Sequence, residues 1–173
     1  MKMYSPLNKS DDERSAMSLQ KTGRMLSPDL DVGRFCWTTM EHAPDPIIYA
    51  DTGGMIRFWN HAAERIFGFS EAEVLGKSLD VIIPENLRKR HWAAYLQTMR
   101  TGHTRYGEGD VLGVPAVRKD GTRISIEFSI LLFRNRQGHM LGAAAILRDV
   151  TSRFEEMKAL RREVAGLRKR VET

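Results

Sequence analysis

Few side chains in this sequence have the reach to do chemistry, and they are scattered. Cys36 is the only cysteine, so no internal disulfide and no cysteine-based zinc site can form. His61, His103 and His139 lie in turns and helix starts with no metal-ligand spacing. No pair of carboxylates and no Ser-His-Asp arrangement stands out, and no P-loop, kinase phosphoacceptor or cyclase motif is present. One histidine differs in setting. His91 falls within a helical pattern that starts after Pro84, at the edge of an apolar stripe formed by Trp92, Tyr95, Leu96 and Met99. The bland reading of a lone helix histidine is a partly exposed one, and of Trp92 a core or dimer contact. Phe58 and Trp59 read as neighbouring sheet residues, one facing inward and one outward. This inventory points to a binding or signalling module and not to an enzyme.

Elements must position these residues, and the chain is long enough for one domain with extensions. Its 173 residues are 42% hydrophobic and 28% charged, with a net charge of +5. Much of that excess is local, since residues 151–173 carry seven Lys/Arg against four Glu. With no zinc-finger spacing or helix-turn-helix pattern, nucleic acid is not an expected partner. No apolar run is long enough to span a bilayer and no signal-peptide core is present, so a reducing cytoplasm is the expected setting, with no membrane partner.

Residues 1–26 read as a flexible tail, and 27–43 as an amphipathic helix opened by Ser27 and carrying Leu30, Phe35, Trp37 and Met40. A core over 44–150 follows. Strands at 47–50 and 55–59 flank the turn Asp51-Thr52-Gly53-Gly54. Asn60 caps a short helix stopped by Gly68, and Ser70 to Glu73 forms a capping box. Pro84 opens a longer helix that Gly102 closes. Pro115 marks an edge strand or a bulge. Ile124, Ile126, Phe128 and Ile130 then alternate with polar residues, and Met140 to Val150 reads as a buried strand. Residues 151–173 form a last helix, with Ser152 and Glu155 as its capping box. In it Met157, Leu160, Val164, Leu167 and Val171 recur at 3-4-3-4 spacing, a heptad seam. The order of elements gives an α+β domain with one antiparallel sheet.

Three stretches resemble the PAS family, over about Ala43 to Thr151: HAPDPIIYADTGGMIRFWNHAAERIFGFSEAEVLGKSL, RKDGTRISIEFSI and GAAAILRDVTSR, which ends in an Asp149-Val150-Thr151 junction. The resemblance implies a five-stranded sheet of order 2-1-5-4-3, with short helices enclosing a pocket on one face and flanking helices that mediate homodimerisation. It implies a bacterial sensory signalling module with a downstream kinase or regulator. A covalent flavin adduct is excluded, because leucine (Leu79) stands where the photoactive family has cysteine. The stretch from Pro84 to His91 is similar to the long helix of oxygen-sensing haem PAS domains. That similarity implies haem b as cofactor in a redox or gas sensor. His91 would be the iron ligand, and Leu112, Phe128 and Ile130 the distal wall. Leu112 replaces a distal arginine, Ala94 a tyrosine and Gln97 a propionate-binding arginine. Arg105 or Tyr106 would then supply the polar contact. The function expected is a sensory module that binds a small ligand or cofactor and relays its state through a dimeric C-terminal helix. The alternative is a cofactor-free module for dimerisation or protein interaction.

Overall fold

The computed structural model describes residues 30–104 and 111–171, and the chain divides into a unit up to Thr38 and a body from Thr39 onward. The expected tail and Tyr106 lie outside the described residues. Helix α1 spans Val32–Glu41. Asp31 caps it, its carboxylate accepting from the Arg34 backbone N–H at 2.9 Å, and the expected opening residue Ser27 lies outside the described residues. Among the described residues no helix is long and apolar enough to cross a membrane.

In the body, strands β1 (Ile47–Asp51) and β2 (Ile56–Trp59) form a hairpin closed by Asp51, whose carboxylate accepts from the backbone of Gly53 and Met55. Gly54 takes a positive φ of 76° at this turn. Helices α2 (His61–Phe67) and α3 (Glu71–Val74) follow, then a 3₁₀ turn (Leu79–Val81) and the long helix α4 (Glu85–Thr101). Strands β3 (Leu112–Val117), β4 (Arg123–Arg134) and β5 (Met140–Asp149) complete an antiparallel sheet of order β2-β1-β5-β4-β3. Pro115 therefore sits on an edge strand, where its missing N–H costs no ladder bond between neighbours on both sides.

The core gathers where α2 and α3 meet the sheet: Trp59, Phe67, Ile56 and Val74 are fully buried, with Ile124, Ile126 and Leu147 beneath them. Trp59 also satisfies its indole N–H on the Phe69 carbonyl at 3.2 Å. Both Phe58 and Trp59 are buried, but only Trp59 belongs to this core. The expectation of a wholly buried β5 does not hold, since Leu141 is 48% and Ile146 37% exposed. A central strand is covered along its edges by its neighbours, whereas its side chains alternate between faces and only one face of β5 meets the core.

Asn60 is the only buried polar residue among the described core residues, and its amide makes four hydrogen bonds. The carbonyl oxygen accepts from the backbone of Ile47 and Ala63, and the Nδ2 group donates to the Met40 and Asp45 carbonyls. Cap, strand entry and the end of α1 thus converge on one side chain.

Helix α5 (Thr151–Val171) begins one residue before the expected Ser152 cap. Asp149 takes that role: its carboxylate accepts from the Thr151 backbone N–H at 2.9 Å and from the Thr151 hydroxyl. The other carboxylate oxygen pairs with Arg118 at 2.8 Å, and the Thr151 hydroxyl accepts from the Ser125 N–H. Burial alone would raise the Asp149 carboxyl, but the Thr151 donors and Arg118 outweigh it and hold it below the usual range.

Two outcomes follow for stability. Asn60→Leu keeps the branching and heavy-atom count of the side chain but adds bulk and removes all four bonds, so urea unfolding should show a loss of about 3 kcal/mol, from stranded backbone groups and from crowding. Asp149→Ala should cost about 1–2 kcal/mol at neutral pH through loss of the cap. Because folding lowers this carboxyl's pKa, its contribution is present above about pH 4 and fades as pH falls further. The deficit of Asp149→Ala against wild type should therefore shrink between pH 7 and pH 3, and a deficit independent of pH would contradict this assignment.

Candidate ligand site beside the long helix

Helix α4 is fastened to the body by polar contacts from one of its sides. Arg88 donates to the Ile83 and Asp80 carbonyls, at 3.2 and 3.1 Å, behind the Pro84 start of the helix. Trp92 donates its indole N–H to the Asp80 carboxylate at 2.8 Å. Its ring lies so close to Gly54 that a Cβ there would come within 2.2 Å of it, so glycine is required at that place for packing as well as for φ. Tyr95 donates to the Asp51 carbonyl at 2.6 Å, with the Ala50 carbonyl 3.2 Å away. Burial, reinforced by Asp51, raises this phenol far above its usual range, so it stays a donor.

His91 lies between these two anchors. Its ring centroid is 5.0 Å from that of Trp92 and 5.7 Å from that of Tyr95. The Nδ1 atom is buried and has no hydrogen-bond partner among the described residues. Burial lowers the basicity of the imidazole, with Asp80 pulling the other way and losing, so the ring is held neutral. The apolar stripe read from the sequence placed His91 at its edge. In the structure Leu96 is 56% exposed while Met99 is buried and His91 is half-buried. The helix is thus rotated so that the His91–Tyr95 side faces inward, because Trp92 and Tyr95 find polar partners there and Leu96 has none to offer.

Across the sheet, Leu112 and Phe128 are direct cross-strand partners, and Ile130 follows on the same face opposite Ala145. All three are half-buried, in contrast to the tightly covered Ile124 and Ile126 further along the same strand. Tyr106 and Arg105 fall outside the described residues. No cluster of three or more His, Cys, Asp or Glu suited to a metal ion occurs among the described residues. A half-buried, neutral imidazole with an unpartnered nitrogen is a donor of the type a metal-bearing prosthetic group uses, and Leu112, Phe128 and Ile130 are half-buried apolar residues of the type that lines it, so the residue types suit haem.

Sequence reasoning passed over two features. Tyr95 reads as one step out of register with the family tyrosine at Ala94, yet the i, i+4 spacing puts it on the same helix face as His91, which was the available signal. An open cleft at the far end of α4 is lined by Leu96, Met99, Arg100, Arg134, His139 and Met140, and it includes none of the expected site residues. There Arg134 donates to the Gly102 carbonyl at the C-cap of α4, joining the β4–β5 turn to the helix.

Among known proteins, the chain is 37% identical over 87 residues to the sensor protein FixL of Bradyrhizobium diazoefficiens, covering 50% of this chain and 17% of that protein. It is 33% identical over 75 residues to the oxygen sensor protein DosP of Escherichia coli, covering 43% of this chain and 9% of the relative. The chain thus spans under a fifth of either relative's length. A PAS domain from Colwellia psychrerythraea superposes with a TM-score of 0.62 at 20% identity, covering 70% of this chain and 99% of that one. The sequence model described as PAS fold matches residues 38–150, the span that carries the whole sheet and the helices packed on it, and the chain belongs to that family.

Proposed function

We propose that this chain is a sensory module that takes a small ligand between helix α4 and the inner face of the sheet and passes its state on through helix α5. The specific ligand is haem b, with His91 as the iron ligand and Leu112, Phe128 and Ile130 as the apolar wall opposite. The observation that carries this reading is the buried Nδ1 of His91, which lacks a partner in a ring kept neutral by its surroundings. A buried polar atom without a partner is costly, and binding that satisfies it returns the cost. The similarity to proteins named as a sensor and an oxygen sensor supports the same reading. When bound, haem supplies an iron centre that takes diatomic gases or changes redox state.

The protein's own residues would do the rest. Trp92 and Tyr95 fix the orientation of the His91 ring through their bonds to Asp80 and Asp51. Leu112 offers no donor, so a polar ligand would gain no hydrogen bond from it, unless Tyr106 reaches in. Strand β4 carries Phe128 and Ile130 and, at Ser125, also holds the Thr151 hydroxyl at the start of α5. A change on the ligand side would thus act on the element that seats the output helix. The exposed Phe35 and Trp37 on α1 and Met157 and Leu160 on α5 support a homodimer that uses both helices. A downstream kinase or regulator would read its state. The single, exposed Cys36 accords with a reducing bacterial cytoplasm.

Titration of the 173-residue chain with haem tests the ligand reading. Wild type should develop a Soret band at one equivalent. His91→Ala should lose it with an unchanged far-ultraviolet circular dichroism spectrum, since one half-buried helix residue adds little to the core. Equal, low uptake by both proteins would overturn the haem reading and leave a cofactor-free interaction module.

A further inference from the structure

The cleft at the far end of α4 carries positive charge that no carboxylate in its lining balances. Arg100 comes from the last turn of the helix, and Arg134 and His139 from the two ends of the β4–β5 turn. No Asp or Glu lines the cleft, and neither arginine forms an ion pair with another described residue. Structural roles absorb part of this charge. Arg134 donates to the Gly102 carbonyl and, at 3.3 Å, to the Gly138 carbonyl, so it caps α4 and ties down the turn. Those two bonds take two of the five N–H groups of a guanidinium. The C-terminal end of a helix offers about half an elementary negative charge, against two full positive ones here. The surplus is positive. Because two carbonyls already hold the Arg134 side chain, little rotamer freedom is lost when it meets an anion.

Apolar side chains supply much of the remaining lining: Met99 is buried, Met140 half-buried and Leu96 exposed. The cleft has a volume of about 530 Å³, within the range of small-molecule sites. Inorganic phosphate would use the arginines and leave the apolar lining wet. A neutral apolar molecule would do the reverse and leave the charge unmet. We infer that the cleft is a second ligand site, separate from that of His91, and that it takes a small carboxylic acid with an aromatic body. The carboxylate meets Arg134 and Arg100, whose planar groups match its geometry. The ring lies against Met99 and Met140, since thioether sulfur packs favourably on aromatic edges. A bound acid spans the end of α4 and the β4–β5 turn, and so braces the junction that Arg134 holds. The inference goes beyond the haem reading and shares no residue with it.

Titration of the 173-residue chain with benzoate, benzyl alcohol and inorganic phosphate, followed by amide NMR, tests the inference. Benzoate should bind with a dissociation constant of about 1 mM or tighter, and roughly tenfold more tightly than either of the other two. Its shifts should cluster at Gly102, Gly138 and His139. Arg100→Gln should weaken benzoate about fivefold or more with an unchanged thermal midpoint, since this side chain is exposed. Arg134→Lys keeps the charge but loses the planar fork, and should weaken benzoate as well. His91→Ala should bind benzoate as wild type does, which separates this site from the haem reading. No binding at about 10 mM benzoate, phosphate or benzyl alcohol binding as tightly as benzoate, equal affinity of wild type and Arg100→Gln, or shifts centred on His91 would overturn the inference.

Discussion

A single buried amide governs how the body of this protein is assembled. Asn60 has two donors and two acceptor sites, and all are used, on backbone groups from α1, the turn before β1, β1 itself and α2. Away from water each bond is worth more, and each alternative geometry would leave an amide group stranded. The entry angle of β1, the start of α2 and the end of α1 are therefore set together. Trp59 and Phe67 then pack at 5.3 Å between ring centroids because the strand before Asn60 and the helix after it leave in fixed directions. Everything built on that corner, including the hairpin that receives Trp92 and Tyr95, inherits its geometry.

Helix α4 relies on a different kind of contact. Its mean polarity is high and only Met99 is buried, so hydrophobic burial alone would hold it weakly. Hydrogen bonds to Asp80, Asp51 and Ile83 choose its rotation instead. At its other end Arg134 fastens the C-cap. A helix held by a few directional contacts at both ends depends on each of them more than one embedded in a core does.

Much of the local structure was legible because it depends on local chemistry. The Asp51–Gly54 turn, the Asn60 and Gly68 caps, the Ser70–Glu73 carboxylate bond and the Pro84 and Gly102 bounds of α4 all follow from side chains acting on their own backbone. The strand order is non-local, and only resemblance to a family supplied it: alternation shows that β1 and β5 have inner faces, not that they are neighbours. Asn60 read as a cap, and its two long-range donations left no trace in sequence. The rotation of α4 misled the helical wheel, which weighs Leu96 by its apolarity and cannot see that Trp92 and Tyr95 have polar partners across the fold. At the start of α5, Ser152 and Glu155 matched a capping box, but Asp149 lies nearer to the backbone it caps and also meets Arg118. Phe128 and Ile130 were placed on one face by period-2 counting and Leu112 by the resemblance alone, and the register sets Leu112 directly opposite Phe128.

The pairing of β1 with β5 sets Ile47 opposite Ile146, so the two central strands come from opposite ends of the body. Closing so long a loop must precede any gain from that ladder, which raises contact order and slows folding relative to a meander of the same size. During synthesis the early hairpin and α2 can form as soon as they emerge, but the sheet stays open along β1 until residue 149 has left the ribosome. The segment that closes it runs without a break into α5. Completion of the sheet thus precedes the seating of α5, and a nascent chain cannot display a seated α5 on an unfinished body.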